Sequence, residues 1–215
     1  IMDEQQPEDY QQAIAKGWLP IREVARQTGV NPVTLRAWER RYGLVVPQRT
    51  AKGHRLYTQE QISKIQQVLT WLSRGVAVSQ VAELLENREE PSNTDSDNLW
   101  QQQRHTLNQA ILQLNERQLD EAFSRSQSLY PPHTLCEQLL LPLINELEQR
   151  WQGQFGSELA RVLFHGWLRR KIGARIYHDN RQHNGAPVLL CNLSNLPFEP
   201  GLWLSAWLIC SSEQR

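Results

Sequence analysis

The sequence predicts a mainly α-helical chain: a winged helix–turn–helix first, a helical bundle second, and the start of a βα module last. Three observations carry this. Residues 20–57 hold two short helical segments, a glycine turn between them and a basic hairpin. Residues 88–97 are acidic, polar and interrupted by Pro91, a linker composition. From 98 to 182 apolar residues recur at helical spacing in four stretches.

Residues 1–16 are acidic and weakly patterned, and are expected to form a mobile N-terminal arm. Ile1 before Met2 reads as a start that is not the natural one. The first helix of the motif runs Ile21–Gln27, with Thr28-Gly29-Val30 as the turn. Asn31 caps the second helix and Pro32 takes its first position, where a missing N–H costs nothing. Val33, Leu35 and Trp38 are expected inward, with core the favoured place for Trp38 and a surface contact the alternative. Thr34, Arg36, Arg40 and Arg41 fall mainly on the outward face. Gln48-Arg49-Thr50 and His54-Arg55-Leu56-Tyr57 flank a tight Ala51-Lys52-Gly53 turn and read as a two-stranded wing. Thr58 and Gln61 have capping-box spacing, and Ile62, Ile65, Leu69 and Leu72 give a stripe that ends at Gly75. Another short helix starts at Ser79. These boundaries give a first domain at 17–87 and a linker at 88–97.

The second domain opens with a four-helix bundle at 98–182. Leu99, Trp100, Leu107, Ala110, Ile111 and Leu114 mark its first helix. Leu119, Ala122 and Phe123 mark the second. Pro131-Pro132 starts the third, with Leu135, Leu139, Leu143, Leu147 and Trp151 on one stripe and Pro142 expected to kink it. The fourth runs from about Ser157 to Asp179. Residues 183–215 read as the first strand (187–193) and helix (202–210) of a truncated Rossmann-like domain, because a lone strand builds no sheet.

Charge supports a function for the first domain. Residues 17–75 carry ten Lys/Arg against three Asp/Glu, within a chain whose formal net charge is zero. Positive charge concentrated on a helix–turn–helix is the footprint expected for phosphate. A second basic cluster, Arg169, Arg170, Lys171 and Arg175, reads first as a solvated face; an acidic partner or a nucleotide phosphate is the alternative. Three widely spaced cysteines indicate neither a disulfide framework nor a zinc knuckle. The acidic N-terminus does not resemble a signal peptide, and no apolar run approaches the roughly 20 residues that span a membrane. No Ser/His/Asp, paired-carboxylate or phosphate-loop constellation stands out, so an enzyme is not expected.

Residues 20–57 resemble the DNA-binding domain of the MerR family of bacterial transcription regulators. The resemblance rests on Ile21, Val24, Ala25, Gly29, Val30, Thr34-Leu35-Arg36, Trp38-Glu39-Arg40-Arg41, Gly43-Leu44, Pro47, Arg49 and His54-Arg55-Leu56-Tyr57, and it continues into the next helices. It implies a double-stranded DNA operator as partner and RNA polymerase reached indirectly through the promoter. It places Thr34, Arg36, Arg40 and Arg41 at the groove and phosphates, and Arg49, Lys52, His54, Arg55 and Tyr57 in the wing. Many members dimerise through a long helix after the fourth one. The linker at 88–97 leaves no heptad run for it, so any homo-oligomer is expected to form through the second domain or on DNA.

Bundle, strand and glycine-started helix resemble the cobalamin-binding module of CarH and LitR repressors. In that group a Glu-His pair follows the bundle tryptophan and an Asp-x-His-x-x-Gly loop supplies the lower cobalt ligand. Counted from Trp151, the pair falls on Arg161 and Val162. Aligned on Gly201, the loop has Leu196 for Asp and Phe198 for His. A phenyl ring cannot ligate cobalt, and His165, His178, His183, His105 and His133 read as bundle or surface residues. No cofactor and no metal are therefore expected. A MerR domain ahead of such a degenerate module resembles the MlrA-like subgroup. That resemblance implies a cytoplasmic, nucleoid-associated activator of biofilm-matrix and curli-type genes, with partner proteins of cyclic-di-GMP signalling. The alternative is a small-molecule- or cobalamin-responsive repressor of the CarH/LitR kind.

Overall fold

The computed structural model describes residues 5–87 and 93–212, and the chain divides into two compact units between Ser96 and Asp97. The first unit begins with helix α1, Gln5–Ala15, where a mobile arm was expected; residues 1–4 lie outside the described residues. Gly17 explains the stop of α1. At φ +82° it lets Trp18 N–H reach the Ala13 carbonyl (3.0 Å) and Gly17 N–H the Ile14 carbonyl (2.9 Å), a Schellman closure. Ala13 is buried and Tyr10 meets the His54 ring edge-on at 6.1 Å, so the helix has something to pack on.

Strand β1 (Leu19–Pro20) leads directly into α2 (Ile21–Thr28), and α3 spans Pro32–Tyr42. The Asn31 side chain accepts from Val33 N–H at 2.7 Å, with Pro32 in the first turn, as the sequence predicts. Strands β2 (Gln48–Arg49) and β3 (Arg55–Tyr57) form the hairpin, and β1 adds to it. The result is a three-stranded antiparallel sheet in the order β1-β3-β2, one strand more than the expected wing. Helix α4 (Gln59–Ser73) starts with the predicted capping box, both Thr58–Gln61 hydrogen bonds being present, and α5 spans Val78–Asn87. Helix α2 packs on α3, α4 and the sheet around Val24, Val30, Leu35, Trp38, Leu56 and Ile65, all buried.

The second unit contains most of α6 (Asn93–Leu112), then α7 (Glu116–Gln127). Of the expected linker at 88–97, residues 88–92 lie outside the described residues and 93–97 are already helical. The third helical path is composite: α8 (Pro132–Thr134), a π-helical stretch at Leu135–Leu140, and α9 (Leu141–Trp151). Pro142, where a kink was expected, stands two residues after the π-helical stretch. It removes the N–H that an α-helix would offer the Gln138 carbonyl, and Arg104 donates to that carbonyl at 3.2 Å instead. Leu135, Leu139, Leu143, Leu147 and Trp151 are all buried, as their spacing predicts. Helix α10 (Glu158–Asn180) carries Phe164, Trp167 and Leu168 into the same core, where Trp167 meets Phe123 edge-on at 5.3 Å.

Residues 187–193 correct the Rossmann-like expectation. They form no strand; they run as exposed irregular chain, with Leu193 94% exposed. A strand needs a neighbour to bond, and among the described residues none lies beside this run. Helix α11 (Pro200–Ser211) forms but packs along α10, where an added Cβ on Gly173 would stand 3.2 Å from the Trp203 ring. Leu204 and Trp207 are buried.

Candidate DNA-binding surface

Helix α3 presents one polar, cationic face. Arg36, Arg40 and Arg41 are all exposed, while Leu35, Ala37 and Trp38 turn inward. Trp38 is therefore core. Two residues depart from the expected pattern. Thr34 is 2% exposed and lies on the core side, so it offers no surface to a groove. Val33, expected inward, is 56% exposed and shares the Arg36–Arg40 stripe at i, i+3 and i+7. The sequence signal for Val33 was the cap itself: with Asn31 as N-cap, Val33 sits in the first turn, where recognition helices meet base edges. An exposed valine methyl there suits the thymine C5-methyl.

The wing tip is built by Thr50 and Gly53. Thr50 N–H donates to the His54 carbonyl (3.0 Å), His54 N–H donates to Thr50 Oγ1 (3.1 Å), and Gly53 N–H donates to the Thr50 carbonyl (2.8 Å). Gly53 makes the last bond at φ +80°, a conformation most side chains resist. Lys52 and His54 are left exposed at the tip. Tyr57 is not: it is fully buried opposite Leu19, and burial pushes its hydroxyl pKa up to about 12. Its hydroxyl finds no hydrogen-bond partner. The expected wing contact from Tyr57 is thus a core residue: Lys52 and His54 lie in the exposed turn, whereas β1 covers Leu56 and Tyr57 of β3.

Arg49 and Arg55 stand directly opposite each other on β2 and β3. Like charges in that register repel. Glu39 resolves the repulsion from α3. One carboxylate oxygen accepts from Arg49 at 2.7 Å and the other from Arg55 at 2.6 Å. Burial draws the Glu39 pKa upward, but the hydrogen bonds and charges of Arg55 and Arg49 outweigh it and hold the carboxyl below its ordinary value. The recognition helix and both wing strands are therefore tied through one side chain. Arg55 is largely committed to that tie, whereas the half-exposed Arg49 keeps access to solvent. Glu39 stands between inward Trp38 and outward Arg40, and no signal in the sequence marks it as the tie, because the pairing of Arg49 with Arg55 that gives it its role is not local.

A paired helix set with an exposed cationic face and a three-stranded wing defines a winged helix–turn–helix DNA-binding module. A family described as MerR HTH family regulatory protein matches residues 19–88, and one described as B12 binding domain matches residues 103–175. The HTH-type transcriptional regulator MlrA of Escherichia coli (strain K12) is 41% identical over 188 residues, covering 87% of this chain and 74% of that protein. Its namesake in Salmonella typhimurium (strain SL1344) is 38% identical over the same shares. The HTH-type transcriptional repressor CarH of Myxococcus xanthus is 27% identical over 141 residues, 61% of this chain and 47% of that protein. The chain belongs to the MlrA family of MerR-type helix–turn–helix transcription regulators. Among the described residues no helix is long and apolar enough to cross a membrane.

The helical unit does not fit a cobalt corrinoid held by a lower histidine. Phe198 has no lone pair to give, and its ring is taken up by His165 (5.2 Å) and Trp203 (5.8 Å). Arg161 lies over Trp151 at 5.4 Å, and Val162 faces solvent. Among the described residues no group of three His, Cys, Asp or Glu side chains is placed to hold a metal ion.

Proposed function

We propose that this regulator binds double-stranded operator DNA through α3 and the wing and activates transcription of biofilm-matrix-type genes under the control of partner proteins. The observation that carries the DNA-contact reading is the Arg36–Arg40–Arg41 face, anchored to the wing by Glu39. In this reading Arg36 and Val33 meet base edges. Arg40, Arg41, Arg49, Lys52 and His54 meet phosphates, and RNA polymerase is reached through the shape of the promoter. Residues 17–87 form the DNA module and the bundle at 98–182 receives the signal. The reading makes the protein a cytoplasmic, nucleoid-associated regulator rather than an enzyme. Proteins of cyclic-di-GMP signalling are its proposed partners, and any homo-oligomer forms through the second unit.

Chromatin immunoprecipitation with transcript profiling of a deletion strain tests this. The expected result is occupancy upstream of matrix genes whose transcripts fall in the deletion; transcripts that rise would overturn the activator assignment. The match to a B12 binding domain favours a second reading, a cobalamin-responsive repressor. Purified protein incubated with adenosylcobalamin and desalted is expected to retain no corrinoid absorbance, and stoichiometric retention would establish the second reading instead.

A further inference from the structure

One face of α10 carries Arg161, His165 and Arg169 at successive i, i+4 positions, with rings laid along it from three other segments. Trp151 from α9 sits under the Arg161 guanidinium at 5.4 Å and meets His165 edge-on at 5.8 Å. Phe198 lies 5.2 Å from His165 and 5.8 Å from Trp203 of α11, and the Arg169 guanidinium lies over Trp203 at 5.7 Å. The result is a continuous row of rings with a guanidinium at each end, carried by residues two helical turns apart on α10.

The charges of this row differ from those of its neighbours. Arg170 pairs with Glu116, Lys171 with Asp120 at 3.0 Å, and Arg175 with Asp179 at 3.4 Å. Among the described ion pairs Arg161 and Arg169 have no carboxylate partner; each rests on an indole face. His165 Nε2 is buried without a hydrogen-bond partner, and burial together with the Arg161 charge lowers the imidazole pKa. Phe198 and Trp203 are half-buried and Arg169 is exposed, so the row is open to solvent.

We propose that this row binds a small anionic ligand of the nucleotide class. Its flat base stacks on the Phe198–Trp203 rings and its phosphates meet Arg161 and Arg169. Stacking on aromatic side chains is worth about 1–3 kcal/mol per base, and guanidinium matches phosphate in charge and planarity. Two guanidiniums at separate ends of the row call for two phosphates, which a dinucleotide carries and a mononucleotide does not. This inference goes beyond the DNA-binding reading and does not depend on it.

The test is tryptophan-fluorescence titration of the full chain with the linear dinucleotide pApA, alongside AMP, adenosine and inorganic phosphate. Saturable quenching by pApA, stronger than by AMP and absent with adenosine or phosphate alone, is expected. Arg161→Gln and Arg169→Gln should each weaken pApA binding at least tenfold, and Arg36→Ala should leave it unchanged. Circular dichroism melts matching the parent show that both α10 variants are folded, and Phe198→Leu supplies an uncharged second variant expected to weaken stacking. Absence of quenching up to millimolar pApA overturns the proposal. So does binding as tight as the parent's in both arginine variants, or loss of binding only in Arg36→Ala, which would place the nucleotide on the DNA face.

Discussion

Glu39→Gln separates the tie between recognition helix and wing from the charge that DNA requires. Gln keeps the shape of the side chain but removes the charge that holds Arg55 and Arg49. The Glu39–Arg55 pair is shielded on both sides, 13% and 23% exposed, so a charge-assisted hydrogen bond there is worth about 1.5–3 kcal/mol. The Arg49 side is half exposed and contributes about 0–1 kcal/mol after screening. Gln retains one acceptor, which leaves a net loss of about 2 kcal/mol, or about 8–16 °C in the melting of a unit this size. The effect on DNA has two opposite parts. Removing a negative charge strengthens non-specific binding at low salt, while an untethered wing weakens operator binding, so the ratio of specific to non-specific affinity falls. The pH dependence carries a sign. Because the folded pKa of Glu39 is depressed, its stabilisation is complete above the ordinary value of 4.5 and is lost as pH falls through the folded pKa. The gap between parent and Glu39→Gln therefore narrows below pH 4.5. Urea titration read by hydrogen exchange in α3 and β3 measures the loss, and a double-mutant cycle with Arg55→Gln measures the coupling. A coupling below about 0.3 kcal/mol, within the additivity expected of independent sites, refutes the reasoning.

Four further outcomes follow from the same geometry. Arg36→Ala should weaken operator binding by about 1–3 kcal/mol and relax specificity at one base position, read by binding to a panel of single-substitution operators. Lys52→Ala should weaken binding to all sequences alike and reduce the slope of log K against log salt by about 1. Tyr57→Phe should leave operator affinity unchanged and keep or raise stability in urea, because the buried hydroxyl it deletes has no partner; a loss of operator binding would return Tyr57 to the wing surface. Leu139→Ala should cost about 2–5 kcal/mol in chemical denaturation of the helical unit, since Leu139 is fully buried in the central stripe.

What the sequence made legible was decided by how local each signal is. The Asn31 cap, the Thr58–Gln61 box and the Leu135–Trp151 stripe depend on neighbours two to sixteen residues away in the chain, and the structure reproduces them. Thr34 and Val33 exchange their expected faces because the buried side of α3 (Thr34, Leu35, Ala37 and Trp38) is decided by its packing on α2, which a count along one helix does not contain. Helix α1 was hidden in acidic sequence, yet Gly17 carries its stop signal. The run 187–193 shows the opposite failure. Its apolar, strand-like composition suits a strand, but pairing is a property of two segments, and among the described residues no second strand is bonded to it.

The same distinction governs the site. Arginines on an outward face are recognisable from sequence because exposure and charge travel together. The carboxylate that orients them is not, since Glu39 acquires its role only when Arg49 and Arg55 are brought opposite each other by the β2–β3 register. That register places two like charges where they would otherwise drive the wing strands apart. A single acid supplied from the recognition helix is then the least costly way to close the hairpin, and closing it in this way also fixes where the helix lies relative to the wing. Stability of the wing and aim of helix α3 are thus one interaction, which is why, on the proposed DNA-contact reading, a substitution at Glu39 should change DNA discrimination even though the residue is largely buried behind the exposed arginines.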